Sequence, residues 1–212
     1  MKRVALMLLA LSAVPVAVEA QLCAGQAPWS SGRMKVGGSL EFGEGPTIIL
    51  GGVGVGKDQG LFFGARGGFA TGDGDTGFQL GGTVGTEMET KIADVVHICP
   101  VANLDLGFGY FETTTIMATG GLLAGYPLQT SGNVGVTIIG GAHAGFARSS
   151  ISDDVCPPTV DCSFTDFVLH LDAGAGIVFN NRISLVPLLR IPIEPGGDVR
   201  FFIGANVAIG AR

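Results

Sequence analysis

Charged residues are scarce in this chain, and their scarcity narrows the possible classes of protein. Only 14% of the 212 residues are Asp, Glu, Lys or Arg, against roughly 25% in ordinary soluble domains. A disordered polar chain is excluded, because such chains have little apolar content, whereas 47% of these residues are hydrophobic. With 12 basic and 18 acidic residues, the charge balance gives no support for a nucleic-acid partner.

Long Leu-rich blocks are also missing, which sets the chain apart from helical membrane proteins. Glycine, in contrast, makes up 36 of the 212 residues, where about 7% is usual. It has no period of three and proline numbers only 10, which excludes collagen. A coiled coil is excluded because glycine breaks helices. The chain is therefore more apolar than a typical water-soluble domain, and membrane-spanning helices do not account for its apolar composition.

The N-terminus has the pattern of a secretory signal peptide. Two basic residues precede an apolar run that ends at a plausible cleavage site after Ala20. The competing interpretation, a membrane anchor, is weakened by the shortness of the run. The predicted division is a signal peptide over 1–20, an N-terminal periplasmic segment or plug over 21–32, and one folded domain over 33–212.

Four cysteines are present, and an even number in an exported chain predicts two disulfides. Cys156 and Cys162 flank a turn-prone Pro-Pro-Thr-Val-Asp segment, which favours their pairing, and Cys23 and Cys99 are then left as the second pair. The alternative for the second pair is a loose N-terminal tail with Cys23 unpaired. The spacing matches no zinc pattern, and we predict no metal or other cofactor.

The rest of the chain alternates with a period of two. From residue 199 to residue 209, Val, Phe, Ile, Ala, Val and Ile occupy one parity, and Arg, Phe, Gly, Asn and Ala occupy the other. Such alternation predicts β-strands with two different faces, and turn-forming residues separate the segments. Ten strands are predicted, over 33–42, 46–56, 60–70, 77–89, 94–110, 113–127, 133–147, 165–179, 182–193 and 198–210.

The composition of the second face decides the class of fold. A soluble sandwich would place many Lys, Glu and Thr residues there, but this face carries mostly Gly, Ala, Ser and Thr with one or two ionisable residues per strand. Small membrane barrels have this pattern, with apolar side chains toward lipid and small or polar ones inside. The ionisable residues predicted to form a polar network in the lumen are Lys35, Glu41, Arg66, Glu87, His97, Asp105, His143, His170, Asp172, Arg182, Arg190 and Arg200.

Aromatic residues lie near the predicted strand ends, as the two girdles of a membrane barrel would. Eight come near the end that carries the loop over 149–164, which we expect to be external: Phe42, Phe69, Phe78, Phe108, Tyr110, Phe146, Phe167 and Phe201. Three come near the other end: Phe63, Tyr126 and Phe179.

By these features the chain resembles the small bacterial outer-membrane β-barrel proteins, the broad grouping of the outer-membrane-protein-A and -X types. The resemblance is one of pattern, without a diagnostic motif, and covers the signal peptide and 33–210. It implies an all-β, closed, antiparallel up-and-down transmembrane barrel of about ten strands, with eight as the alternative. It also implies location in the outer membrane, with membrane lipid and the outer-membrane assembly machinery as partners and a monomer as the favoured state. One departure is Pro187 inside a predicted strand, where it removes a hydrogen bond.

Three short patterns suggest sites, and each has a structural explanation that we favour. The segment 51–57 matches the start of a phosphate-binding loop but lacks the Ser or Thr that should follow the lysine, so we interpret it as a Gly-rich strand. The segment 72–77 resembles a calcium loop without its distal Glu, and we interpret it as an acidic turn. His143, His170 and Asp172, with Asp105, would suit hydrolysis, but a polar network bracing the lumen is favoured.

The expected function is structural or surface-interacting, with a lumen filled by side chains and no enzymatic activity. One alternative is a narrow passive channel for small solutes, in which Arg66, Arg182, Arg190 and Arg200 would favour anions. Two others are a barrel enzyme acting on lipid or peptide and a secreted soluble β-sandwich.

Overall fold

The computed structural model describes residues 34–56, 60–89, 96–128, 133–151, 156, 162–193 and 197–210. The signal peptide predicted over 1–20 and the segment over 21–32, which includes Cys23, lie outside the described residues. Both therefore stay predictions.

Alternation of side chains produces long strands throughout the described part of the chain. Most of the strands end at or next to a glycine or an asparagine, and both residues favour turns. The strands are β1 Met34–Gly43, β2 Thr47–Gly56, β3 Leu61–Gly72, β4 Asp75–Thr86, β5 Met88–Glu89, β6 His97–Phe108, β7 Thr113–Leu128, β8 Val134–Ile151, β9 Ser163–Phe179, β10 Ile183–Pro192 and β11 Arg200–Ile209.

The strands form a closed antiparallel barrel. Each long strand pairs with its neighbours in sequence, and β1 pairs with β11, from Met34 opposite Ile209 to Gly43 opposite Arg200. The two-residue strand β5 continues β4, because both pair with β6. The barrel therefore has ten strands, and the prediction of ten rather than eight is confirmed. Among the described residues no helix is long and apolar enough to cross a bilayer.

The observed strands match the predicted ones to within a few residues. The largest difference is in β8, which we expected to end at 147 and which continues to Ile151. The added residues are Arg148, Ser149, Ser150 and Ile151, and three polar residues in succession break the alternation, so the pattern gave no signal. They remain in the sheet because they pair with the first residues of β7, where Thr113 lies opposite Ile151.

The two ends of the barrel differ. At the end that we call the hairpin end, β8 and β9 join through the loop that holds Cys156 and Cys162. At the other, which we call the terminal end, the first residue of β1 meets the last of β11. Asp73 and Gly74 turn the chain at the hairpin end with φ values of 50° and 82°. Two positive φ angles are the geometry of a tight two-residue hairpin.

The outer surface of the barrel is apolar. Large hydrophobic side chains of every long strand point outward and are exposed, as hydrocarbon surroundings require. At the hairpin end, rings of neighbouring strands meet with centroids 5.7, 5.2 and 5.6 Å apart in the pairs Phe42–Phe201, Phe69–Phe78 and Phe146–Phe167. At the terminal end, exposed rings belong to Phe63, Tyr126 and Phe179. The chain is a small outer-membrane-type barrel, as predicted.

Pro187 lies within β10 and faces outward. The ladder between β10 and β9 runs as far as Leu185 opposite Ile177, is interrupted, and resumes at Leu188 opposite Gly174. The ladder to β11 is continuous there. The interruption follows from the missing N–H of proline, so the predicted conflict is real and local.

Candidate functional site

Two clusters of polar side chains lie inside the barrel. The first, which we call the Arg66 cluster, comprises Arg66, Thr83, Asn103, Asp105 and Thr119. Arg66 donates to both carboxylate oxygens of Asp105, with Nη2 at 2.7 Å from each, and its Nη1 donates to Thr83 at 2.7 Å. The Thr83 hydroxyl donates to Asn103 at 2.7 Å, and Asn103 donates to Thr119 at 3.4 Å. A two-pronged guanidinium–carboxylate contact of this kind fixes orientation as well as charge.

The second, which we call the Arg190 cluster, comprises Glu41, His143, His170, Asp172, Arg190 and Arg200. Arg200 Nε donates to Glu41 at 2.6 Å, and Arg190 Nε donates to Asp172 Oδ1 at 3.1 Å. Arg190 Nη1 also lies 3.8 Å from Glu41 Oε2. The two arginines and two carboxylates therefore form one continuous chain of charge along the inner wall.

The histidines complete this second cluster. His143 on β8 lies directly opposite His170 on β9, and their rings stack with centroids 4.9 Å apart. His143 Nε2 approaches Asp172 Oδ2 at 3.4 Å. His143 and Asp172 are buried, because both point from the sheet into the lumen.

Glycine provides the space in which these side chains lie against the wall. Gly81 is opposite Arg66 on one side and Asp105 on the other, and a Cβ added there would come within 2.9 Å of Arg66 Nε. Gly121 is opposite His143, and a Cβ there would come within 2.7 Å of His143 Cε1. The abundance of glycine is thus tied to particular long side chains.

A cavity of about 670 Å³ occupies part of the lumen. It extends from Pro46 and Tyr110 at the hairpin end and is lined by residues of both polar clusters. Toward the terminal end its lining includes Phe62, Val101 and Leu123, which pack with the fully buried Cys99. We call Phe62, Cys99, Val101 and Leu123 the floor. The interior is therefore cup-shaped, which differs from the lumen filled throughout that we expected.

Further interior side chains lie toward the terminal end. Lys35, which also lines the cavity, is only 3% exposed, and His97 Nδ1 lies 2.9 Å from Glu87 Oε1. Val178 and Ser184 are also buried. These residues lie toward the terminal end and point into the barrel.

The structure brings eleven of the twelve ionisable residues of the predicted lumen network to the inner wall; Arg182 is the exception. It is exposed in the turn between β9 and β10, so its predicted place in the lumen is wrong. Asn180 and Asn181 both have positive φ, and β10 begins one residue later than expected, at Ile183. The prediction also left out Thr83, Asn103 and Thr119, which share the inner parity but are not ionisable.

The two sequence patterns that suggested ligand loops have structural roles. Gly51–Gly56 belongs to strand β2, as we interpreted it, and Lys57 lies outside the described residues. In the tight turn, the Asp75 carboxylate accepts hydrogen bonds from the backbone N–H of Thr76 at 2.7 Å and from that of Phe111. It therefore fixes the turn against the neighbouring segment.

Acidic side chains at the rim of the hairpin end influence one another. Glu44 lies in the turn between β1 and β2, and a hydrogen bond with Asp198, together with the charge of Asp198, raises the pKa of the Glu44 carboxyl. Burial, followed by the charges of Asp73 and Asp75, raises the pKa of the Tyr110 phenol. The rim is thus a region of concentrated negative charge.

The predicted disulfide between Cys156 and Cys162 is present, with Cα atoms 6.1 Å apart. Cys99 is buried and disulfide-bonded, and its predicted partner Cys23 lies outside the described residues, so that pairing stays a prediction.

No protein-family profile and no curated protein matches the chain. Solved structures with a similar fold include a bacterial polysaccharide outer-membrane secretin, with 15% identity, 79% of this chain covered and a TM-score of 0.44. The beta domain of the Bordetella autotransporter BrkA has 15% identity, with 85% of this chain and 100% of that chain covered and a TM-score of 0.49. The KdgM porin has 8% identity, with 83% and 99% covered and a TM-score of 0.41. The chain spans only 57% of the secretin.

Proposed function

We propose that this protein is a non-conducting outer-membrane barrel with a structural and surface-interacting role. The observation that carries the proposal is the floor: toward the terminal end the cavity is lined by Phe62, Val101, Leu123 and the buried Lys35, and the fully buried Cys99 packs with the floor residues. A solute entering from the hairpin end would meet packed side chains before it reached the terminal end.

The polar clusters support a static interior. Their ion pairs and hydrogen bonds involve every long strand except β2, so they brace the wall from inside. Each arginine in them is held by a carboxylate, and an Arg–carboxylate pair with several hydrogen bonds is rigid. A selectivity filter for anions would instead present unpaired positive charge.

The surface-interacting part of the proposal concerns β8 and β9. The residues from Phe164 to Val168 pair with β8 on one side, whereas β10 reaches β9 only as far as the hydrogen bond from Ile193 N to Leu169 O. Among the described residues nothing pairs with this stretch on its other side. Because β8 and β9 pair further toward the hairpin end than β10 reaches, we place the interaction surface here, on the outer side of the membrane.

We also propose that the protein is not an enzyme. The carboxylate that approaches His143 is Asp172, and Arg190 already holds its other oxygen at 3.1 Å. Such an arrangement neutralises charge inside the barrel and does not by itself activate a nucleophile. Outer-membrane lipid and the assembly machinery remain the proposed partners, with a monomer as the proposed state.

A second candidate function, a narrow channel, is favoured by one observation: Arg66 and Arg190 line a cavity of about 670 Å³. Planar-bilayer recording with the refolded full chain separates the two. We expect no steady unitary current from the wild type, and we expect current from a Phe62→Ala, Val101→Ala double variant, because it truncates two of the four floor side chains.

Phe63→Ala is the matched control for that experiment. Phe63 is the next residue of β3 but faces outward, so its replacement leaves the floor intact and should leave the barrel silent. Steady unitary currents from the wild type, lowered by Arg190→Gln, would establish the channel instead. Silence of the double variant, once its insertion is verified, would show that the floor is not what closes the lumen.

A further inference from the structure

We propose that His143, His170 and Asp172 form a binding site inside the barrel for a divalent transition-metal ion of the zinc class. This site is independent of the proposed function, because neither the closed lumen nor the interaction surface on β8 and β9 depends on it. The three side chains come from two neighbouring strands and share the inner face, because His143 is opposite His170 in register and Asp172 is two residues further along β9.

The distances are close to those of a metal site. One ligand atom from each of the three residues lies within 4.8 Å of those of the other two, and His143 Nε2 is 3.4 Å from Asp172 Oδ2. Ligands about 2.1 Å from an ion are separated by about 3–3.5 Å. The His143–Asp172 separation meets this requirement, and the His170 ligand atom lies within 4.8 Å of both.

The donor set also fits. Two imidazoles and one carboxylate form a ligand set that zinc and other late first-row ions accept, with further coordination positions of the ion left open. Nδ1 of His143 lies beside Gly121, so Nε2, which faces Asp172, is the ring nitrogen that would bind the ion.

The surroundings have the outer contacts that a ligating carboxylate needs. Arg190 Nε donates to Asp172 Oδ1 at 3.1 Å, which leaves Oδ2 turned toward His143. The charge of Arg190 is shared with Glu41, whose Oε2 lies 3.8 Å from Nη1. Outer hydrogen bonds of this kind orient the ligand.

An ion can reach the site. All three residues line the cavity that extends to the hairpin end, so entry needs no opening of the sheet. An accessible approach, a fitting donor set and supported ligands are the features that define a credible metal site.

The test is a titration of the refolded, chelator-treated full chain with Co²⁺, followed by the visible absorption of protein-bound cobalt. We expect one Co²⁺ per barrel, and we expect His143→Ala and His170→Ala each to weaken binding at least tenfold, the scale on which even outer-shell changes act. His97→Ala is the matched control, because the third histidine of the chain pairs with Glu87 elsewhere in the lumen. Its affinity should equal that of the wild type.

Gel migration with and without heating shows whether each variant has folded, and His143→Gln and His170→Gln serve if an alanine variant has not. The proposal is overturned if the wild type leaves the spectrum of aqueous Co²⁺ unchanged, because the cluster is then only a polar network. Equal binding by the folded His143 and His170 variants, or loss of binding in His97→Ala, would overturn it too.

Discussion

At the scale of single residues, the interior of this barrel depends on pairs formed by a long polar side chain and the glycine beside it. Gly81 separates Arg66 from Asp105 across the sheet, and the guanidinium lies over the glycine to reach the carboxylate. A side chain at position 81 would occupy that path. The glycine therefore determines whether the ion pair can form.

Gly81→Ala should lower the free energy of unfolding by about 1–3 kcal/mol, because the displaced Arg66 and Asp105 would lose charge-assisted hydrogen bonds while partly buried. Urea unfolding of the barrel refolded in lipid vesicles measures this. Gly82→Ala is the matched control, since a Cβ there would meet only Gly64 O, at 3.7 Å. Equal stability of the two variants would show that the glycine does not serve the ion pair.

The sequence predicted the face of the sheet on which most of these residues lie, but it did not predict which residues pair. Parity alone placed Arg66 and Asp105 inside, because side chains of a strand alternate strictly. Their pairing depends on the register of strands that are 39 residues apart in sequence, and no local pattern encodes that register. Arg182 was misplaced for a related reason: one extra turn residue moves a side chain out of the strand altogether.

At the scale of elements, β10 carries the clearest conflict between sequence and structure. The backbone N–H of Ile193 donates to Leu169 O on β9. Backbone groups of every second residue in a strand point the same way, and residue 187 is an even number of positions earlier, so its backbone also points to β9. A proline there has no N–H to donate, and the ladder is interrupted at that place. The alternation of β10 was strong enough to predict the strand in spite of the proline.

Pro187→Val should raise the free energy of unfolding by about 0.5–1.5 kcal/mol, because valine restores a donor toward β9 and suits a strand. Equilibrium unfolding in vesicles would show the increase. Leu185→Val is the comparison, because it alters another outward side chain of β10 at a position already paired with β9. No gain from Pro187→Val, or an equal gain from Leu185→Val, would contradict this explanation of the interruption.

At the scale of the whole molecule, the composition follows from a barrel whose outside is hydrocarbon. The apolar residues form the outer face, the ionisable strand residues mostly face inward in pairs, and the glycines make room for them. The alternation of residues was enough to predict the closed fold and its ten strands. The cavity was not predictable, because the depth at which Phe62 and its neighbours meet is set by the stagger of the closed barrel.

The orientation of the barrel in the membrane connects the fold to the proposed surface role. Thr165 is exposed on β9 near the hairpin end, and Arg182 is exposed in a turn at the terminal end. No cysteine in the described part of the chain is free, and labelling of the unmodified protein gives the background against which a cysteine introduced at either position is compared.

Labelling of Thr165→Cys and Arg182→Cys with a membrane-impermeant maleimide on intact cells tests the central claim most directly. A barrel that spans the outer membrane with its hairpin end outward should be labelled at position 165 in intact cells. Position 182 should be labelled only after the envelope is permeabilised. Equal labelling of both positions in intact cells, or labelling of position 182 alone, would contradict the account.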